Sequence, residues 1–407
     1  MWGVDVKSLI SLVCLAIIGC TEPTETDEAP FQQEYIPWGS LADTPWPMVR
    51  HDAQGTNRSQ YAGPSNGVIE YAYTDSVYSK TSVSLDFSNN VYIQVTKDNS
   101  GSLNKVSDSG RVSWRADLGT MAESGHTMVH LTGEVGVIPN YRTGYLHWIN
   151  LNDGSIRNSI ELNDGASDVN VDLQGNLIFS EGGHSLVSYT RDGELRWRTE
   201  SLNARFSYPV VSPDGEFIYV GGFENLYCFN GSGDIVWTVA TTGFCRQTMV
   251  DNYGSIFFCD GNEKLRSVDG SGNARWEIEL DSIGIASVVG SISPTMDAEG
   301  NIYYRVFDID DGKGIASFTN GGEYRWFYPA PYGSAIVSDI NSNIYFGGGW
   351  NGNSTFTSLS SDGSVNWEIE WGPSNASPDW CPAIGSNERI YFPMYSGSVE
   401  GNFVAIK

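Results

Sequence analysis

Apolar and polar residues alternate along most of the chain in a unit that recurs about every forty residues. The unit begins with a polar turn and continues into a short run rich in Val, Ile and Tyr, a pattern that predicts a β-hairpin. It is plainest in residues 172–179, 297–303 and 339–345, which read DLQGNLIF, DAEGNIY and DINSNIY. Eight such hairpins occur. A fixed period of this size indicates a repeat architecture.

A second hairpin follows in each unit, and its turn carries the motif Gly-x-x-x-Trp. Each unit therefore contains four antiparallel strands, labelled A to D, with almost no helical periodicity. Four-stranded sheets repeated around a ring are the blades of a β-propeller, which protects most sheet edges. Because the Trp recurs with the blade, we expect it to pack between blades. The motif occurs at Gly110/Trp114, Gly193/Trp197, Gly233/Trp237, Gly272/Trp276, Gly322/Trp326 and Gly363/Trp367, and Gly154 has Asn158 in the Trp place.

The two ends of the chain predict how the ring closes. The sequence has eight A–B hairpins but seven C–D hairpins, and it stops after one strand C, residues 402–406. Near the start, residues 67–71 copy the strand D pattern, with Tyr71 in the Trp place. We therefore expect an all-β, eight-bladed propeller whose N-terminal strand completes the last blade. Seven blades, with one hairpin as an insertion, is the alternative.

Composition agrees with one turn-rich β domain over residues 46–407. The chain has 46 Gly, and 13% of its residues are aromatic. Its formal net charge of −26 argues against general binding to nucleic acid or anionic lipid. We expect a monomer with no nucleic-acid partner.

The first residues predict an export signal. Lys7 precedes an apolar run, residues 9–18, that ends next to Cys20 and resembles a bacterial lipoprotein box. We expect a signal peptide over 1–19, a lipid on Cys20 and an acidic, Pro-containing tether over 20–45. The protein would then sit on the outer membrane, at its periplasmic face or the cell surface, held through the lipid alone. An ordinary signal peptide or an anchor helix is the alternative.

Two further features leave alternatives open. Cys245 and Cys259 are predicted on adjacent antiparallel strands, where a disulfide and two buried thiols are equally compatible with the pattern. Asp308 and Asp310 lie in the longest repeat and are candidates for a structural divalent metal such as Ca²⁺, with a solvated acidic loop as the alternative. No other cofactor is indicated.

The segment Trp46–Asp52 with Asn57-Arg58-Ser59, followed by the repeated Gly-x-x-x-Trp turns, resembles the quinoprotein-type (PQQ-like) β-propeller repeat. The resemblance covers residues 46–407 and implies the fold rather than a function. Quinone-dependent dehydrogenases of this type use adjacent cysteines and long insertions, which this chain lacks, so PQQ is not expected. A non-enzymatic scaffold, resembling the propeller lipoprotein of the outer-membrane protein assembly machinery, fits the size, the blade count and the lipid.

Four residues suggest a different function. His126 and His147 are 21 residues apart, and Tyr189 and Arg205 are 16 apart, which is similar to the active-site spacing of the β-propeller ulvan lyases. In β-elimination on a uronate polymer, Arg205 would neutralise the carboxylate. His126 or Tyr189 would take the C5 proton while the other protonates the leaving oxygen, and His147 would act beside Arg205.

We therefore expect a polysaccharide lyase acting on an ulvan-like marine polymer, with the scaffold as the alternative. Tyr141, Arg142, Tyr208 and Arg246 are the candidates for binding this anionic substrate. The blade pattern raises one objection. The pattern predicts that Tyr189 lies beside the C–D turn, toward the face opposite the other three residues. If that placement holds, Tyr141, Tyr145 or Tyr208 is the better acid or base.

Overall fold

The computed structural model describes residues 31–75, 81–97, 100–120, 127–140, 144–200, 207–261, 263–290, 292–310, 312–349, 353–373, 376–378, 380–396 and 402–407. The chain divides after Phe31, and the propeller belongs to the second unit, Gln32–Lys407. In the described part of the chain, no helix is both long and apolar enough to cross a membrane.

Eight antiparallel sheets form the eight-bladed propeller that the repeat predicts. The first four blades are blade I, β2 (Ser84–Leu85), β3 (Val91–Lys97), β4 (Ser100–Val106) and β5 (Val112–Thr120); blade II, β6 (Val129–Leu131), β7 (Val135–Asn140), β8 (Tyr145–Asn150) and β9 (Ile156–Glu161); blade III, β10 (Asn170–Val171), β11 (Leu177–Glu181), β12 (Ser185–Tyr189) and β13 (Leu195–Arg198); and blade IV, β14 (Val210–Val211), β15 (Phe217–Gly221), β16 (Phe223–Asn230) and β17 (Ile235–Phe244).

The next three blades follow the same order, with one short 3-10 helix, Leu280–Ile283, between blades V and VI. They are blade V, β18 (Arg246–Val250), β19 (Ile256–Asp260), β20 (Lys264–Val268) and β21 (Ala274–Glu279); blade VI, β22 (Ile285–Val288), β23 (Thr295–Met296), β24 (Ile302–Asp308), β25 (Lys313–Phe318) and β26 (Tyr324–Pro329); and blade VII, β27 (Val337–Ser338), β28 (Ile344–Gly348), β29 (Asn353–Leu359) and β30 (Val365–Pro373).

Blade VIII joins the two ends of the chain. It contains β31 (Ala376–Pro378), β32 (Ala383–Ile384), β33 (Ile390–Ser396) and β34 (Phe403–Ile406), and β1 (Ile69–Tyr73) adds its outer strand. β1 pairs antiparallel with β34, so that Tyr71 lies opposite Ala405 and Tyr73 opposite Phe403. The predicted closure by the N-terminal strand is confirmed.

The A strands line the centre of the ring. Neighbouring A strands contact one another there, β10 with β14, β14 with β18 and β23 with β27. The D strands lie outside and are half exposed, as in β21. The A–B and C–D turns share one face of the ring, and the D–A and B–C connections share the other.

The recurring acidic residue of the A–B turn is a backbone acceptor. Asp297 Oδ1 accepts the amides of Glu299 and Asn301 at 2.9 Å each. Its Oδ2 accepts from Asn301 Nδ2 at 2.8 Å and from the Tyr303 hydroxyl at 2.5 Å. Asp339 makes the same contacts to its own turn. The motif Asp-x-x-x-Asn-x-Tyr is therefore explained by turn closure.

The recurring Trp packs on the next blade, as the period predicts. Trp237 Nε1 donates to the Gly270 carbonyl at 3.1 Å, and a Cβ on Gly272 would lie 3.1 Å from its ring. The C–D turn glycine therefore leaves room for the indole of the preceding blade. The same donation to a neighbouring blade is made by Trp114, Trp197, Trp276, Trp326 and Trp367.

Blade II lacks the motif Trp and uses another one. Trp148, on strand C, donates its Nε1 to the Arg191 carbonyl of blade III at 2.7 Å. A Cβ on Gly193 would lie 3.1 Å from its ring. Asn158 adds only a long hydrogen bond, 3.4 Å, to Asp192. Trp148, which the sequence places outside the packing pattern, thus performs the same structural role.

The predicted tether over 20–45 needs a correction at its C-terminal end. Residues 32–45 lie on the propeller, because Trp38 and Leu41 are buried. Trp38 Nε1 donates to the Val171 carbonyl at 3.1 Å, and Ser40 Oγ donates to that of Asp172 at 2.7 Å. Apolar side chains in an acidic segment were the signal that it packs. The predicted signal peptide and Cys20 lie outside the described residues.

Candidate functional site at the mouth of the central channel

The N-terminal segment fills the centre of the ring. We call residues 46–59 the plug, and all of them except Val49 and Asp52 are buried or nearly so. Its backbone carbonyls accept amide hydrogens from the A strands of six blades. The pairs are Trp46 with Leu85, Pro47 with His130, Ala53 with Val211, Gln54 with Val250, Thr56 with Met296 and Asn57 with Ser338.

Side chains extend these contacts to the remaining two blades. Asn170 Nδ2, in blade III, donates to the Ala53 carbonyl at 2.9 Å. The Cys381 thiol, which precedes the innermost strand of blade VIII, lies 3.0 Å from Asn57 Oδ1. The plug therefore contacts all eight blades and closes the channel.

The plug holds a tight and strained loop. Arg50, His51 and Asn57 have positive φ values of 60°, 72° and 54°, a region that few residues other than Gly adopt. The Asn57 amide donates to the Arg50 carbonyl at 3.0 Å, which closes the loop. Asp52 stabilises it from inside, since its carboxylate accepts the amide and the hydroxyl of Thr56.

A cavity of about 270 Å³ remains above the plug, on the face formed by the D–A connections. Aromatic side chains surround a buried Arg50, and Asp168 and Cys381 add a carboxylate and a thiol. The cavity is lined by Val49, Arg50, Ser82, Asp168, Tyr208, Ile292, Ser293, Tyr332, Ala335, Trp380 and Cys381.

The Arg50 guanidinium donates hydrogen bonds to two backbone carbonyls. Its Nη1 donates to Thr248 at 3.0 Å and its Nη2 to Pro209 at 3.4 Å, while its Cζ lies 5.7 Å from the centre of the Tyr208 ring. Burial lowers the pKa of Arg50 from its usual value. Burial also raises the pKa of the Cys381 thiol to about 12, so the thiolate that a nucleophile requires is disfavoured.

The structure places the described lyase candidates apart. Tyr208 lines the central cavity. His147 is buried within blade II, where its Nδ1 lies 2.8 Å from Ser159 Oγ, and burial lowers its pKa. Tyr189 is buried within blade III, opposite Leu177, at the end of the blade where the A–B and C–D turns lie. The Arg198 guanidinium donates to its hydroxyl at 3.4 Å. Tyr189 therefore sits where the objection from the blade pattern puts it.

The other candidates give less information. His126, Tyr141, Arg142 and Arg205 lie outside the described residues. Arg246 pairs through its backbone with Cys259. No pair of the four proposed catalytic residues is thus brought together by the described part of the chain, and their roles stay predictions.

The cysteine and metal candidates have local explanations. Cys245 and Cys259 are buried and reduced, so the structure has the two thiols rather than the disulfide. Asp308 Oδ1 accepts the amides of Asp310 and Gly312 at 2.9 and 2.6 Å, which closes a turn. Among the residues that can be described, no group of three or more His, Cys, Asp or Glu could hold a metal ion.

Sequence reasoning missed the residues at the centre of the cavity. Arg50 belongs to the segment that carries the family resemblance, but nothing in its spacing shows that the segment enters the channel. Asp168, Tyr332 and Trp380 lie in connections between blades, which have no period. The available signal was the apolar, Trp- and Met-containing character of residues 46–53 directly after an acidic stretch.

Comparison with known proteins supports the fold. A family model described as "Outer membrane protein assembly factor BamB" (PQQ_2) matches residues 183–373. That match spans less than half of the chain, and it supports a PQQ-like β-propeller. The crystal structure of BamB from Moraxella catarrhalis superposes with a TM-score of 0.59 at 15% identity, covering 82% of this chain and 96% of that one.

A second solved structure is more distant. The β-propeller domain of Cps50 (Swd1) from Myceliophteria thermophila has a TM-score of 0.49 at 8% identity, covering 69% of this chain and 96% of that one. No curated protein matches the sequence significantly.

Proposed function

We propose that this protein is a non-enzymatic, lipid-anchored scaffold of the outer membrane, which holds other envelope proteins on the faces of its ring. The filled channel is the observation that carries this proposal. Segments from the plug reach every blade, and the plug's Arg50 is engaged by two backbone carbonyls. A ring stabilised in this way offers rigid surfaces rather than a deep reaction chamber.

The size of the central cavity supports the same conclusion. Pockets that enclose small molecules usually measure about 300–1,000 Å³. The cavity above the plug has about 270 Å³ and opens to one face. A polymer substrate would need a longer cleft with an accessible base. Of the four proposed catalytic residues, the two that the structure describes, His147 and Tyr189, are buried within their own blades.

The similarity to BamB, whose name describes an outer-membrane protein assembly factor, suggests the kind of partner. We propose a monomer that binds the β-barrel assembly machinery, anchored through the predicted lipid on Cys20. The formal charge of −26 favours partners with a basic surface over anionic membranes.

Cross-linking in intact cells tests the scaffold. The full-length protein, carrying a photoreactive residue at exposed Phe87 or Phe223, should form adducts with the central β-barrel assembly protein. The same probe at buried Phe257 is the control and should form none. If the exposed positions give no adduct with any barrel-assembly protein, or give it no more often than Phe257, the scaffold proposal is wrong.

The lyase prediction is tested on the same protein without its signal peptide. The protein is incubated with ulvan and other uronate polymers while the ultraviolet absorbance of the unsaturated uronyl end is followed. The scaffold proposal expects no rise. A rise that His126→Ala and Arg205→Ala both abolish would replace the scaffold with the lyase.

A further inference from the structure

Two oppositely charged side chains line the cavity above the plug. They belong to Arg50 and Asp168, which are 4% and 9% exposed. Burial lowers the pKa of Arg50, whereas the negative charge of Asp168 opposes that shift, so the two residues lie within electrostatic reach of each other. They do not form an ion pair, and the Arg50 guanidinium donates instead to the Thr248 and Pro209 carbonyls. Two buried charges of opposite sign therefore share one cavity without touching.

The Arg50 guanidinium retains donors for a ligand. It has five N–H groups, and the two hydrogen bonds that it makes to described residues go to backbone carbonyls. Gly55 packs against it, since a Cβ there would lie 2.9 Å from the Arg50 Cζ. A buried cation that has lost its water needs an anion or further acceptors to replace it. A carboxylate in the cavity would supply both through charge-assisted hydrogen bonds.

Asp168 adds the opposite requirement. Its Oδ1 accepts the Thr127 amide at 2.9 Å, which fixes the side chain. A carboxylate has about four acceptor positions, so the bonds that Asp168 already makes do not exclude an ammonium donor. A simple anion would be repelled by Asp168 and a simple cation by Arg50. A molecule that carries both charges is attracted by both residues.

Much of the remaining lining is apolar and preorganised. Val49, Ile292 and Ala335 contribute aliphatic surface. Trp380 has a φ of 60°, and its carbonyl accepts the Ala335 amide at 2.8 Å. Left-handed backbone at residues other than Gly is concentrated at ligand-binding and active sites. The cavity volume of about 270 Å³ is less than twice the ~150 Å³ that holds a benzene molecule, so it fits one small molecule.

We propose that this cavity binds a free α-amino acid with an apolar side chain. The ligand carboxylate accepts from Arg50, its ammonium group donates to Asp168, and its side chain contacts Val49, Ile292 and Ala335. Both charges of an α-amino acid sit on one carbon, which suits two residues that share so small a cavity. The site does not rest on the scaffold proposal, since it needs no protein partner.

Calorimetric titration and thermal unfolding of the protein without its signal peptide test the site. The probes are leucine, valine and phenylalanine. Two leucine analogues each lack one charge, N-acetylleucine the ammonium and leucinamide the carboxylate. We expect at least one amino acid to bind and to raise the unfolding midpoint, because a ligand of the folded state stabilises it. Each analogue should bind about tenfold more weakly than leucine, because it leaves one buried charge without its partner.

Asp168→Asn tests the same assignment from the side of the protein. The amide oxygen can still accept the Thr127 N–H, so the fold should persist. Leucine should bind about tenfold more weakly, whereas N-acetylleucine should bind more tightly than it does to the wild type, because the repelling charge is gone. Asp117→Asn is the matched control and should change neither affinity. Asp117 is exposed, accepts the Gly119 amide at 2.9 Å and lies outside the cavity lining.

Three results would overturn the proposal. They are no binding of any of the three amino acids, binding of N-acetylleucine or leucinamide as tight as that of leucine, and the same affinities in Asp168→Asn as in Asp117→Asn. None of them would affect the scaffold, because the cross-linking positions Phe87 and Phe223 lie outside this cavity.

Discussion

His130 is a buried histidine of blade II whose ring contacts blade I and whose backbone amide donates to the plug. It is 0% exposed, its Nε2 lies 2.9 Å from Ser84 Oγ, and its ring meets that of Tyr92 edge-on at 4.7 Å. Burial lowers its pKa to about 4, and Lys105 adds to this, whereas the Asp86 carboxylate opposes it. The folded protein therefore keeps His130 neutral where an unfolded chain would protonate it.

The low pKa of His130 predicts a pH-dependent stability. Its contribution is complete above the unfolded value of about 6.5 and is lost as pH falls toward the folded value of about 4. The loss should total about 3 kcal/mol. Urea unfolding of the wild type and of His130→Gln, measured from pH 7.5 to pH 4.5, should give a free-energy difference that shrinks with falling pH. A difference that does not change with pH would contradict this assignment.

At the residue scale, the sequence does not show which side chains of one type are buried and which are free to act in a site. It shows five His and offers spacing as the only criterion, which selects His126 and His147 and leaves out His130. Burial is decided by which segments meet in space, and His130 is buried because the plug crosses blade II at Pro47. The role of Arg50 could not be predicted for the same reason, because its partners Thr248 and Pro209 lie 198 and 159 residues away in the sequence.

At the element scale, the contact between the Trp of one blade and the turn Gly of the next is the interaction that recurs between blades. The sequence predicts it because both partners recur with the blade. It cannot predict the substitution in blade II, where Trp148 reaches the next blade from strand C instead of strand D. Either strand can supply the ring, since strands C and D lie side by side and only the position of the indole matters.

Gly233→Ala should destabilise the ring more than Gly254→Ala does. Both glycines have φ near +84° and +83°, so both substitutions cost about 1 kcal/mol of backbone strain. A Cβ at Gly233 would lie 2.7 Å from the Trp197 ring, whereas one at Gly254 would meet nothing within 4 Å. Displacing the indole should add about 1–3 kcal/mol.

Thermal or urea unfolding of the two variants measures this difference. The backbone strain is common to both variants. The difference between their losses of stability therefore measures the contact between Gly233 of blade IV and Trp197 of blade III. Equal losses of stability in the two variants would mean that the Trp contact contributes nothing beyond the glycine conformation.

At the scale of the whole molecule, two devices hold the ring. The first is β1, which pairs with β34 and was foreseen from the count of hairpins. The second is the plug, which could not be foreseen, because it is bound mainly through its own carbonyls to the amides of the A strands. Backbone pairing of this kind carries no residue signature. The plug is also non-periodic, so the repeat that predicts the blades says nothing about what lies between them.

Removing residues 403–407 tests which device dominates. β34 lies between β33 and β1, and its side chains Phe403, Val404 and Ile406 are fully buried. Burying each contributes about 1.5–3 kcal/mol, so their loss approaches the total stability of about 5–15 kcal/mol that a domain usually has. We therefore expect the truncated protein to lose its cooperative unfolding transition, as monitored by Trp fluorescence. We also expect β1 to become sensitive to protease.

Deletion of Lys407 alone is the matched control for that truncation. It removes the two backbone hydrogen bonds between Lys407 and Val68, each 2.8 Å, and leaves β34 in place. Its cost should stay near 1–3 kcal/mol, with the transition still cooperative. If the longer truncation unfolds at the same midpoint as the full chain, closure by β1 is dispensable. The plug would then be what holds the ring, because it contacts every blade.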